Sequence, residues 1–154
     1  MINELTSLIN SNSILTIEEN EYFERPDISH KAIYFVGEHE SFINLCHIIL
    51  YLSNEADEAI DLSNLSFVKN NTNKKIILRC AFSENDCWGV NGFVESTKNN
   101  IMWYFGEKTA SQIASHIHDL GCIWNHLHFD AKSIIITHYL WALKIRNKQL
   151  QRQP

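Results

Sequence analysis

Lys31-Ala32-Ile33-Tyr34-Phe35-Val36-Gly37-Glu38-His39-Glu40-Ser41-Phe42 is the stretch on which the fold turns. Ala32 to Val36 is a continuous β-prone apolar run, which predicts a strand buried on both faces. Gly37 ends it. Glu38 and Glu40 then place negative charge at the start of a helix, the end that its dipole favours. Phe42, Leu45, Cys46, Ile49 and Leu52 recur at helical spacing, so the helix is expected to run to about Ser53 with one apolar stripe.

Upstream, the pattern reads as a short helix or extended start near residues 3–10, a short strand at Ser13–Ile17, and then an acidic loop. Downstream, residues 74–105 read as a three-strand meander. Ile76, Leu78, Cys80 and Phe82 share one face of its first strand, and Ser83-Glu84-Asn85-Asp86 supplies turn residues. Its second strand spans Cys87 to Glu95, where Asn91-Gly92 marks a bulge or an alternative tight turn. Ser96 to Asn100 turns the chain into Ile101-Met102-Trp103-Tyr104-Phe105. Thr109 with Gln112 then forms a capping box. The helix it opens carries Ala110, Ile113, Ala114, Ile117 and Leu120 on one face, with Gly121 as its stop.

Residues 131–150 admit two readings. As a helix, Ile134, Ile135, His138, Trp141, Ala142 and Ile145 line one face, and Ile136, Tyr139, Leu140 and Leu143 line the other. As a strand, the β-branched run Ile134-Ile135-Ile136-Thr137 fits. The good helix formers from Lys144 onward favour the helix. The sum is a single α+β domain over residues 1–154, a mostly antiparallel sheet with two to three packed helices.

Composition narrows the function. With 154 residues, 45% hydrophobic, the chain matches one folded domain and excludes a disordered one. The net charge of −5 works against nucleic acid and anionic membrane as partners. No basic and apolar leader opens the chain, and the most apolar window, Leu45 to Leu52, is too short to span a bilayer. A soluble, cytoplasmic protein is expected. Cys46, Cys80, Cys87 and Cys122 show no metal or redox spacing and read as reduced structural thiols.

Charge is unevenly spread. Residues 1–61 hold twelve acidic and two basic residues, while residues 62–154 hold six acidic and eleven basic ones. Two clusters carry the asymmetry: Glu18, Glu19, Glu21, Glu24 and Asp27, with Tyr22 and Phe23 among them, and Glu55, Asp57, Glu58 and Asp61. They read either as solvated loops or as a surface that receives a basic partner, with the aromatics as anchors inside a charged rim. Neither has the residue order of an EF-hand calcium loop.

The histidines offer one further candidate. His116 and His118 lie about 200° apart on a helix and cannot reach one ion. His126 and His128 share a face if Ile123–Phe129 is a strand, and Asp130 follows, so a His/His/Asp metal site is conceivable though short of ligands. No nucleophile elbow and no phosphate-binding glycine loop is present, so neither a catalytic set nor a cofactor is expected.

The passage from Lys31 to Phe42 resembles openings seen in small bacterial immunity proteins of toxin systems, including contact-dependent growth inhibition. Small size, a single domain, acidity and the lack of a catalytic signature are similar to that group. Those proteins share no single fold, so no residue role carries over. The resemblance implies a cognate toxin, often a basic nuclease, blocked by a tight complex. The expected function is therefore a non-enzymatic binding protein that neutralises a basic protein partner through the two acidic clusters. The competing readings are a secretion chaperone or adaptor, which would use an apolar groove, and a small metal-dependent hydrolase using His126, His128 and Asp130.

Overall fold

The structure, a computed structural model, describes residues 2–55, 58–81, 93–123, 126–129, 134–139 and 142. In chain order these form α1 (Ile2–Leu8), β1 (Leu15–Arg25), β2 (Ile28–Gly37), α2 (His39–Asn54), β3 (Ala59–Asp61), a 3-10 turn (Leu62–Asn64), β4 (Val68–Asn70), β5 (Lys75–Ala81), β6 (Phe93–Ser96), β7 (Asn100–Gly106), α3 (Glu107–Ile123), β8 (His126–Phe129) and β9 (Ile134–His138). The class is α+β, as expected. The strands form two mixed sheets rather than one mostly antiparallel one. The first has the order β4-β1-β2-β9-β8 and the second β3-β5-β7-β6.

The strand–glycine–helix junction forms as its residues dictate. Glu38 is the N-cap of α2, and a capping box joins it to Ser41, whose hydroxyl accepts from the Glu38 amide at 3.0 Å. A Cβ at Gly37 would run into Ser41 Oγ, so this position stays a glycine to let the box close. The whole predicted stripe of α2 is buried, Ile48 included. Asn44, also buried, donates to the Asn10 carbonyl at 2.7 Å and accepts from its amide at 2.9 Å, which fastens the chain after α1 to α2.

Four expectations need correction. The acidic stretch is strand, not loop, because β1 continues from Leu15 to Arg25 against β2. Residues 74–105 are not a meander: β5 pairs with β7 in parallel and β6 lies outside β7. Phe82, Cys87 and Asn91-Gly92 lie outside the described residues. Helix α3 begins at Glu107, three residues before the Ala110 start that a Thr109 cap implies, with Thr109 in its first turn. There the Thr109 hydroxyl accepts from the Gly106 amide at 3.2 Å and donates to the Gly106 carbonyl at 3.1 Å. Gly121 does not stop it, since the helix reaches Ile123.

The fourth correction is the largest. Ile134–His138 is a strand, β9, parallel to β2 and buried at every position. A central strand covered on both faces shows no alternation, so its apolar run mimics a buried helix. Tyr139 and Ala142 are the only described residues beyond it, so the rest of the expected helix lies outside them.

Both sheets turn one face to a single core. Ile17, Phe35, Ile136 and Leu127 form one cross-strand row of the first sheet. Ile76, Leu78, Cys80, Ile101, Trp103 and Phe105 line the second. Trp103 joins them, with ring centroids 6.2 Å from Phe35 and 5.1 Å from Phe129. Helices α2 and α3 pack on each other, and the Cys46 thiol donates to the Ala114 carbonyl at 3.1 Å. Burial pushes the Cys46 thiol up to about 12 and that of Cys80 to about 11, so both remain protonated and inert near pH 7. Among the described residues no helix is long and apolar enough to cross a membrane.

Candidate functional site

The period of two in β1 splits the first acidic cluster between two faces. Leu15 and Ile17 lie in the core, and the same side continues outward as Glu19, Glu21 and Phe23. The hairpin thus runs past the end of the core, turning at Pro26-Asp27. At its end Phe23 is 48% exposed and Ile28 38%, beside the exposed Asp27. Glu24 belongs to this strand, but its side chain lies outside the described set. Glu19 sits between two ammonium groups, Lys31 at 3.9 Å and Lys74 at 3.8 Å. Glu21 stands opposite Lys31 in the register and accepts from the Ser29 hydroxyl at 3.5 Å.

The second cluster belongs to the other sheet. Glu55 caps the end of α2, and Asp61, in the edge strand β3, accepts from the Ser63 amide at 2.9 Å to start the 3-10 turn. Glu58 is half-buried, and one of its carboxylate oxygens is buried without a hydrogen bond. Asp57 is outside the described residues. These carboxylates sit at chain junctions, whereas the hairpin acids line a projecting strand pair.

Glu18 and Tyr22 take the opposite face of β1, and the sequence gives no sign of what they meet there. Cross-strand pairing lines up Glu18, Tyr34, Ile135 and His128 in one row, and Thr16, Val36, Thr137 and His126 in the next. The Tyr22 ring lies 5.5 Å from His30 and 5.2 Å from His128, and His126 lies 4.7 Å from His128. Tyr22 is on β1 and His128 on β8, with β2 and β9 between them, a gap of about 14 Å in a flat sheet. The sheet is therefore curled, and this face is concave. Ala32, buried on β2 between His30 and Tyr34, is the small residue over which Tyr22 reaches.

Burial, with smaller contributions from Tyr22 and Glu18, pushes the Tyr34 phenol up to about 12. It therefore acts as a neutral donor and reaches the Glu21 carbonyl at 3.4 Å. The structure thus brings part of the predicted partner surface against the predicted metal pair. Asp130, the third residue of that metal expectation, lies outside the described residues. Among the described residues no group of three or more His, Cys, Asp or Glu is placed to hold a metal.

Burial also lowers the pKa of His126 and His138 below the usual 6.5, for His138 against a weaker upward pull from Glu38. The unfolded chain therefore takes up these protons first as pH falls. Their contribution to stability is complete above pH 6.5 and is lost as pH drops through the folded-state values. The urea midpoint is expected to fall between pH 7 and pH 5, and His138→Gln to flatten that fall. An unchanged slope in the variant would take His138 out of the effect and leave it to His126 and to carboxylates.

No family model matches the chain, and no curated protein or solved structure matches it either.

Proposed function

We propose that this is a binding protein with no reaction of its own, which neutralises a basic protein partner through the end of the β1–β2 hairpin. The observation that carries the reading is the hairpin's projection past the core with Phe23 and Ile28 exposed among acidic residues. Large apolar side chains held on a paired, rigid strand lose little freedom on docking, and surrounding carboxylates steer a cationic surface toward them. The likeness of residues 31–42 to immunity-protein openings makes a cognate toxin domain the partner class. Buried, free Cys46 and Cys80 support a reducing, cytoplasmic setting.

Binding kinetics against the product of the adjacent upstream gene test the reading. Reversing Glu21, Glu24 and Asp27 to Lys is expected to slow association, with an effect that shrinks as salt rises. Glu19 is left intact because it is tied to Lys31 and Lys74. Phe23→Ala is expected to speed dissociation and cost about 2 kcal/mol of affinity with weak salt dependence. Association of the reversed protein at the wild-type rate in low salt would remove the hairpin from the interface and direct attention to the exposed Tyr139.

A further inference from the structure

We propose that His126-Leu127-His128 is a binding site for a divalent late transition metal (copper, nickel or zinc), chelated by the two imidazoles on the concave face of the first sheet. In a strand, residues two apart point to the same side, so one intervening Leu127 sets the pair by backbone geometry alone. Pairing with β9 fixes them: His126 lies opposite Thr137 and His128 opposite Ile135, both of which are fully buried. A slip of β8 by one residue would turn Leu127 and Phe129 out of the core, so the register that buries those two also presents the histidines.

The spacing suits one ion. A metal–nitrogen bond of about 2.0–2.1 Å puts the ion about 3.2 Å from each ring centroid. With the two rings inclined at 64° and their centroids 4.7 Å apart, an ion to which both rings turn a nitrogen would see them about 95° apart, close to two adjacent corners of a tetragonal site. Copper(II) prefers that arrangement and stands highest in the affinity order for imidazole ligands, so it should bind most tightly. Tyr22 closes the site from the β1 side, 5.2 Å from His128. Among the described residues no third protein ligand of the usual kinds joins the pair.

The chain has eight histidines, and a second pair sets the control. His39 and His118 join α2 to α3 with ring centroids 5.5 Å apart, but the His118 ring has the Asp119 carboxylate 3.6 Å from Nδ1. The test is titration of the purified full chain with Cu(II) alone, followed by calorimetry and by paramagnetic resonance, which counts coordinated nitrogens. One tight equivalent with two imidazole nitrogens is expected. His126→Ala and His128→Gln should each weaken it at least about tenfold, while His118→Ala leaves it unchanged. Circular dichroism confirms that each variant is folded, and His128→Gln covers the case in which His126→Ala is not. Affinity that survives both changes on β8, or that disappears with His118→Ala, overturns the site. The hairpin reading is unaffected by either result, since Phe23 and Asp27 take no part here.

Discussion

Trp103→Ala is expected to cost about 3–5 kcal/mol of folding stability, the usual range for emptying a large aromatic site. Against a typical total of about 5–15 kcal/mol, that leaves little. The residue is fully buried and touches both sheets: Phe35 of β2 and Phe129 of β8 on one side, Phe105 of its own strand on the other. The cavity would lie between sheets whose strands are fixed by their hydrogen bonds, so it cannot collapse by a side chain turning over. Trp103→Phe fills most of the space and should cost about half as much. Urea unfolding followed by circular dichroism measures both. Equal midpoints for Trp103→Ala and the wild type would mean that the two sheets do not share one core.

That tryptophan marks the boundary of what the sequence carries. It was legible as a strand residue in the run Ile101 to Phe105, but with Met102 and Tyr104 also apolar the buried face was not. Its partners were not, since Phe35 and Phe129 lie far away in the chain. The same limit explains the meander. Strands β5 and β7 were placed nearly correctly and β6 overlaps the expected second strand at Phe93–Glu95, but nothing local distinguishes β5 beside β6 from β5 beside β7. The parallel pairing arises from how Ile76, Leu78 and Cys80 meet Ile101, Trp103 and Phe105 on one core face. By contrast the handover from strand through Gly37 to helix and the Phe42, Leu45, Cys46, Ile49 and Leu52 stripe were legible, because their causes lie within a few residues, whereas the Glu38–Ser41 capping box and the burial of Ile48 were not foreseen.

The hairpin shows where propensity misleads. Glu18 to Glu24 carries residues that are poor in strands, and read alone it is a loop. Opposite it runs Ser29 to Val36, whose β-prone half Ala32–Val36 anchors the pairing, and that pairing overrides the local preference. Once the stretch is a strand, its period of two sends Glu19, Glu21 and Phe23 to one side and Glu18 and Tyr22 to the other. The acidic cluster seen in the sequence is therefore two surfaces. His126 and His128 were expected to share a face if strand, and they do, but the contact of His128 with Tyr22 depends on the curl of the sheet over the three strand spacings from β1 to β8. That curl is not written in any one segment.

Ile113→Asp should be the most damaging single change on the helical layer, destabilising by several kcal/mol near pH 7. Ile113 is fully buried at the middle of the Ala110, Ile113, Ala114, Ile117 and Leu120 stripe. Helix α2 packs against α3, close enough for the Cys46 thiol to donate to the Ala114 carbonyl, so no water can follow a carboxylate in. The charge is the main cost, which gives the prediction a second arm. Protonating the new carboxyl should recover part of the loss, so the gap to wild type narrows between pH 7 and pH 4. Ile113→Asn, which carries the same shape without a titrating group, should show a gap that does not narrow in this way. His116→Ala, on the exposed side of the same helix, should stay within about 1 kcal/mol of wild type at both pH values. If Ile113→Asp and Ile113→Asn respond alike to pH, the damage comes from lost packing alone, and the α2–α3 contact admits water.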